Sequence, residues 1–324
     1  MRPTCGIREI LLLCVAVFWL STAAAQSYPV KPVRVIVPFP PAGGTDLFAR
    51  LVAQKLSTAL GQQFLTDNRS GAGGMIGSEA AARAAPDGYV LLITSSSTHS
   101  INPHLTRKPL YDALRDFSPV IVIAQAPNVL VAHPSLPVRS VKELIAFAKS
   151  RPGEINYASN GSGTLSHLTG ELFKLRAGIN MVHIPYKGGP PAVTDVMAGQ
   201  VSVLFAAFPT VIGQVRAGRL RALAVSGAKR ASAAPELPTV AETLLGFESS
   251  QWWGMFAPAT TPAAIVNRLN TEIEKFLRDT EMQERFAANG AEAVGGTPAW
   301  FADFLKADYE KWGAVVKKTG IKPQ

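Results

Sequence analysis

Two stretches of this chain place small and polar residues immediately before a helix start, the arrangement that lets backbone N–H groups meet an anion. The first is Pro38-Phe39-Pro40-Pro41-Ala42-Gly43-Gly44-Thr45-Asp46, after the apolar run Val33–Val37. Its prolines rule out a helix or a central strand, so it reads as a tight loop. Thr45 reads as an N-cap and Asp46 as a first-turn acid, with Leu47, Leu51, Val52, Leu56 and Leu60 as the apolar stripe of the helix that follows. The second stretch is Ser159-Asn160-Gly161-Ser162-Gly163-Thr164, running into Leu165, Ser166 and His167. A helix N-terminus behind such a loop offers unpaired N–H groups and a positive dipole end. An ordinary strand-to-helix turn without a ligand fits the first stretch alone equally well.

Other chemistries fit poorly. A serine nucleophile elbow needs glycine two positions before the serine, and Asn160 stands two before Ser162. A dinucleotide fingerprint over Gly71, Gly73 and Gly74 needs its third glycine at position 76, where Ile76 sits. His99 with His104, and His167 with His183, lack metal-ligand spacing to carboxylates or thiolates. No pair of carboxylates suggests acid–base work, and Asp46 is explained by its place at a helix start. His167 serves either to orient a ligand or as a structural hydrogen-bonder. Trp252 and Trp253 wall a pocket or pack between domains.

The elements that must position these loops alternate strand and helix. Strands are expected over 33–37, 64–68 and 89–94, each running into a Gly-, Ser- or Thr-rich loop; the third loop is the polar stretch 95–103. In an open α/β sheet the ligand crevice lies outside such carboxyl ends. Residues 119–132 are rich in Val and Ile with no helix between, an extended connector that suits passage from one domain to another. Alternation then resumes: helices over 141–150, 165–176, 190–198 and 209–217, strands over 155–158, 181–185 and 201–207. The extended stretch 220–225 returns the chain. Two more helices are expected over 262–278 and 298–318, the last packing on the first domain through Trp300, Phe304, Ala307 and Trp312.

Arg2 and Arg8, the apolar run 10–20 and Ala23-Ala24-Ala25 read as a secretory signal cleaved after Ala25. Both cysteines, Cys5 and Cys14, fall inside it, so the remaining chain has no disulfide chemistry. The formal charge of +9 is scattered rather than clustered, which argues against nucleic acid and for anionic small molecules.

Taken together, VPFPPAGGTD, NRSGAGGMIG, PDGYVLL, YASNGSGTLSH, HIPYKGG and WGMFAPATTPAAI resemble the Bug (TctC-like) receptors, the periplasmic substrate-binding proteins of tripartite tricarboxylate transporters. The resemblance spans nearly all of the chain after the signal. It implies a two-lobed α/β type II periplasmic binding protein, a Venus flytrap in which each lobe is a βα sandwich around a central sheet. The expected division is a signal over 1–25, a first lobe over 26–124 and 227–324, and a second over 125–226. It also implies a monomeric, non-catalytic receptor without cofactor or metal, which binds a small carboxylate and delivers it to a membrane permease. A sensory adaptor feeding a signalling partner and a carboxylate-processing enzyme are the alternatives. By resemblance the first-lobe ligand residues are Phe39, Gly44, Thr45 and Asp46, with Ser97 and Thr98. Those of the second lobe are Asn160, Gly161, Ser162, Gly163, Thr164 and His167, with Lys187 and Phe208. Where many family members carry an acid after the strand ending at Phe205, this chain has Ala206-Ala207-Phe208, which offers nothing to a ligand ammonium.

Overall fold

The computed structural model describes residues 28–319 and residue 321. The expected signal and its cleavage point lie outside these residues. Among the described residues, no helix is long and apolar enough to cross a membrane.

Three parallel strands open the chain: β1 (Val33–Val37), β2 (Phe64–Asn68) and β3 (Val90–Ser95), in the order β2-β1-β3. Helix α1 (Gly44–Leu60) joins the first pair and α2 (Met75–Ala82) the second. The Val/Ile run of β1 is buried at four of its five positions, as suits a strand covered on both faces. A turn of π-helix (Ser97–Ile101) and α3 (Asn102–Leu105) follow β3, so the polar stretch expected as a loop is helical and buried. Strand β4 (Phe117–Ala132) comes next.

The second block holds α4 (Val141–Ser150), β5 (Asn156–Ser159), α5 (Leu165–Ala177), β6 (Val182–Pro185), α6 (Gly189–Met197), β7 (Val203–Ala207), α7 (Phe208–Arg216) and β8 (Arg221–Val225). The parallel strands β6, β5 and β7 lie in that order, and β7 and β8 flank β4 antiparallel. The chain ends with β9 (Ser250–Pro258), α8 (Ala263–Leu277), α9 (Thr280–Ala288), β10 (Glu292–Gly295) and α10 (Pro298–Thr319). Strand β9 pairs with β3 and β4, and β10 with β4.

The fold is two-lobed, and β4 serves both lobes. Its residues from Phe117 to Pro127 pair with β9, and those from Asn128 to Ala132 pair with β7. The exchange falls at Pro127, which has no N–H to give a ladder. Beside it, Ser226 and Ser249 tie the returning chain to the same point. The Ser226 N–H donates to the Asn128 carbonyl at 2.8 Å, the Asn128 N–H to Ser226 Oγ at 2.9 Å, and the Ser249 N–H to the Ser226 carbonyl at 2.8 Å.

The first lobe is a sheet between helix layers. Val35, Val37, Phe48, Val52, Trp253, Leu269 and Phe286 form one core, and Ile36, Leu92, Trp252, Phe256 and Phe301 the other. Adjacent strand residues point to opposite faces, so Trp253 meets α1 while Trp252 donates its Nε1–H to Asp308 of α10 at 2.7 Å. Neither tryptophan lines a pocket described below. The second lobe repeats the plan, with Leu130, Tyr157, Phe173 and Phe205 on one face and Val131, Val196, Leu204 and Val211 on the other.

Some local expectations change. The α1 stripe runs through Phe48, Val52 and Leu56, leaving Leu47, Leu51 and Leu60 at its margin. On α10 the buried side chains are Phe301, Leu305, Trp312 and Val316, while Trp300 is 43% exposed. This helix spans both lobes: Trp312 and Val316 cluster with Ile101 and Leu105 on one side and with Leu165 and Leu168 on the other. Helix α9 and β10 were not expected; α9 buries only Met282 and Phe286, too few for a clear stripe.

Candidate functional site

Four helices begin at the cleft between the lobes: α1 from N-cap Gly43, α5 from Thr164, α6 from Gly188 and α7 from Ala207, none capped by the side chain of its own N-cap residue. Their first-turn N–H groups have no intrahelical partners. Pro190 and Pro191 remove two of them from α6, and Pro209 removes one from α7. Those of Gly44, Thr45 and Asp46 find no protein partner among the described residues. The four starts surround a small pocket of about 20 Å³, lined by Gly43, Gly44, Thr45, Thr164, Gly189, Ala207, Thr210 and Gln251 among others. That is room for about one water-sized group.

Phe39, Pro40 and Asn160 also line a larger chamber of about 480 Å³. Its walls include Gly73, Gly74, Met75, Asn102, Leu105 and Thr106 from the first lobe. Gly161, Ser162, Gly163, His167, Tyr186, Lys187 and Gly188 come from the second, and Ile321 from beyond α10. No aspartate or glutamate lines either space, and the one side chain with a fixed positive charge is Lys187, exposed at the rim.

The lobes touch around this chamber. A Cβ on Gly163 would fall 1.9 Å from Asn102 Oδ1, and one on Gly188 2.7 Å from the Pro40 ring. The Leu165 N–H, first of α5, donates to Ser97 Oγ at 3.0 Å. A Cβ on Gly44 would meet Trp253 at 3.0 Å and the Ala207 methyl at 3.7 Å. Gly163 and Gly188 have positive φ as well, so a side chain at either would be both strained and crowded, whereas Gly44 is tightly packed.

The Pro38–Gly44 loop is held by Asp46. Its carboxylate accepts from the Ala42 N–H at 3.0 Å, Arg50 Nε at 2.8 Å and Asn68 Nδ2 at 2.9 Å, and Asn68 also donates to the Phe39 carbonyl at 3.0 Å. Burial pushes the Asp46 carboxyl up, but the hydrogen bonds from Arg50, Asn68 and Ala42 outweigh it and hold the group below its usual range. Asp46 lines neither space, so it shapes the loop. The N-cap is Gly43, not Thr45, because the Thr45 hydroxyl accepts from Trp253 Nε1 at 3.1 Å.

The second loop spends most of its own donors. The Asn160 N–H goes to Ser166 Oγ (2.8 Å), Gly161 to Ser159 Oγ (3.2 Å), Gly163 to His167 Nδ1 (3.2 Å) and Thr164 to the Gly161 carbonyl (3.2 Å). The Thr164 hydroxyl donates to the same carbonyl at 2.7 Å. The row of N–H groups expected over 161–164 is therefore reduced to that of Ser162, together with its hydroxyl. Asn160 adds a buried Oδ1 without a protein partner.

His167 stacks on His183 with ring centres 4.0 Å apart and planes 13° from parallel. Burial drives its pKa down to about 4, against the pull of Glu171 and with a further push from Lys174, so the ring is neutral at neutral pH. Since Nδ1 accepts from Gly163, the ring proton sits on Nε2.

Thr98 and Phe208 line neither space. Thr98 Oγ1 bonds Thr94, the Ser95 carbonyl and His99, and Phe208 is fully buried with its ring against Gly290. Sequence reasoning missed Met75, Asn102, Leu105, Thr106, Thr210 and Ile321. Met75 stood inside NRSGAGGMIG, weighed as a dinucleotide fingerprint and as part of the family resemblance but not as a source of ligand residues, and Thr210 lies in the first turn of α7 as Thr45 lies in that of α1. For Leu105 and Ile321 no local signal exists. Among the described residues, no group of three or more His, Cys, Asp or Glu could hold a metal ion.

Comparison with known proteins identifies the family. The family model described as "Tripartite tricarboxylate transporter family receptor" matches residues 48–321. Protein BugT of Bordetella pertussis is 41% identical over 321 residues, spanning 96% of this chain and 98% of that protein. R. palustris Rpa4515, solved with adipate, aligns at a TM-score of 0.90 and 39% identity over 92% of this chain and 100% of that one. MatC from Rhodopseudomonas palustris, solved with bound malate, aligns at 0.85 and 30% identity over 89% and 100%. The chain belongs to the tripartite tricarboxylate transporter receptor family.

Proposed function

We propose that this protein is a periplasmic receptor that closes its two lobes on a small organic carboxylate and presents it to a tripartite tricarboxylate-type permease. One observation carries the reading: helix N-termini from both lobes converge on a cleft whose lining has no acidic side chain. Such a site favours an anion by unpaired N–H groups and dipole ends. In this reading the carboxylate meets Ser162, Asn160 and His167 from the second lobe, and the α1 start at Gly44 and Thr45 from the first. Lys187 adds positive charge at the mouth.

The hinge belongs to the same proposal. The lobes divide near residues 124/125 and 226/227, and the partner exchange of β4 at Pro127 and the ties of Ser226 support that division. Adipate and malate in the related structures support the carboxylate class. The receptor acts as a monomer without a cofactor.

A thermal-shift screen of organic acids, followed by calorimetry, tests the proposal. A ligand that binds only the folded chain raises its apparent stability. The expected result is saturable binding of at least one acid at one site per chain, with the acid recovered unchanged. Failure of every carboxylate to bind, or conversion of the bound acid, overturns it.

A further inference from the structure

The larger chamber has two unlike walls. On the second-lobe side stand groups with spare hydrogen-bonding capacity: the Ser162 hydroxyl and N–H and the Nε2–H of His167 as donors, and the buried Asn160 Oδ1 as an acceptor. On the other side stand Phe39, Met75, Leu105 and Ile321. Of the polar side chains on that side, Ser70 is exposed, and Asn102 and Thr106 spend their donors on backbone carbonyls. Asn102 Nδ2 donates to the Gly73 carbonyl at 2.8 Å while its Oδ1 is pressed against Gly163, and Thr106 Oγ1 donates to the Asn102 carbonyl at 3.0 Å. A hydroxyl or ammonium facing Phe39, Met75, Leu105 and Ile321 would find no partner among those four side chains, and no acidic side chain lines the chamber to meet a cation.

We infer that the chamber selects carboxylates with an unsubstituted hydrocarbon body, chain or ring, and that Met75 and Leu105 set this preference. The inference rests on the receptor reading and narrows it. The carboxylate takes the polar wall, and the body takes the apolar one. Hydrophobic walls reject an added hydroxyl only moderately, by roughly a hundredfold, because the penalty is one unpaired group. An ammonium is rejected more strongly, since it brings a charge as well.

Calorimetry on matched acids tests this: succinate against malate and aspartate, and adipate against 2-aminoadipate. The expected result is binding of succinate and adipate, with malate about ten- to a hundredfold weaker than succinate and both amino acids weaker still. Met75→Gln, at a half-buried position that tolerates a polar side chain, should narrow the gap between succinate and malate. Leu105→Asn should do the same, and its thermal melt checks that it folds. Malate or aspartate binding as tightly as succinate overturns the inference while leaving the receptor reading intact, as does a gap that neither variant changes. No binding by any acid of the series, hydrocarbon or substituted, overturns both.

Discussion

Ser97 of the first lobe accepts a hydrogen bond from the Leu165 N–H of the second at 3.0 Å, so a side chain from one lobe caps the first turn of a helix in the other. In the proposed receptor cycle, opening the cleft would break this bond. Ser97→Ala should leave the melting temperature of the ligand-free protein within a degree or two and weaken ligand binding by about fivefold, the equivalent of one neutral hydrogen bond of about 1 kcal/mol. Calorimetry decides; unchanged affinity would mean that the bond contributes nothing to closure.

Gly163 and Gly61 make a matched pair. Both have positive φ, +78 and +68, but a Cβ on Gly163 strikes Asn102 Oδ1 at 1.9 Å while one on Gly61 meets nothing within 4 Å. Gly61→Ala should cost about 1 kcal/mol of stability and leave binding alone. Gly163→Ala should weaken binding by more than tenfold and enlarge the radius of gyration of the liganded protein in solution scattering. If both variants bind like the parent, Gly163 does not limit closure.

Asp46→Asn should destabilise the protein by about 1–3 kcal/mol, because it removes the charged acceptor of three donors at a buried site. The sign of the pH effect follows from the lowered pKa. The stabilisation is present above the ordinary carboxylate value of 3.8 and is lost as pH falls through the lower folded value. Denaturant melts of parent and variant should therefore converge below pH 4, and a constant offset down to pH 2 would contradict this.

Three histidines set a second pH dependence. Burial holds His99 and His183 down to about 3, with His167 adding to the effect on His183, and burial above all holds His167 down to about 4, against an ordinary 6.5. The unfolded chain takes up protons below 6.5 and the native chain does not. Their contribution is complete above pH 6.5 and declines as pH falls toward 4, by up to about 1.4 kcal/mol per pH unit for each ring. His167→Gln should flatten that slope in denaturant melts between pH 7 and 5. Parallel slopes for parent and variant would show that His167 titrates normally.

The fold was legible wherever the pattern is local. The run Val33–Val37 is a strand with those limits, and the Pro/Gly loop after it does lead into a helix. Distant partners hid the rest. The hydroxyl of Thr45 is taken by Trp253, which is 208 positions away, so the helix cap passes to Gly43. The stretch after β3 reads as a surface loop by its serines, yet it is helical and packed beneath α10, where Ile101 meets Trp312. The site shows the same division. Asn160, Ser162, His167 and Lys187 line the chamber from two recognisable motifs, whereas Met75, Leu105 and Ile321 reach it from three separate parts of the chain. Spacing in sequence cannot announce a wall built that way.

Strand β4 leaves the molecule few ways to move. It is hydrogen-bonded along its length, to β9 before Pro127 and to β7 and β8 after it. Sliding one lobe past the other would break a ladder, whereas twisting the strand where its partners change breaks none. The cleft is therefore expected to open as a torsion about the Pro127–Asn128 region, and amide exchange along Val129–Val131 should stay equally slow with and without ligand. Faster exchange there in the ligand-free protein would count against it. In such a motion each residue travels in proportion to its distance from the axis. The rim at Lys187 then sweeps while Asn128 barely turns, and a small change of angle at one peptide becomes the difference between a sealed chamber and an open mouth.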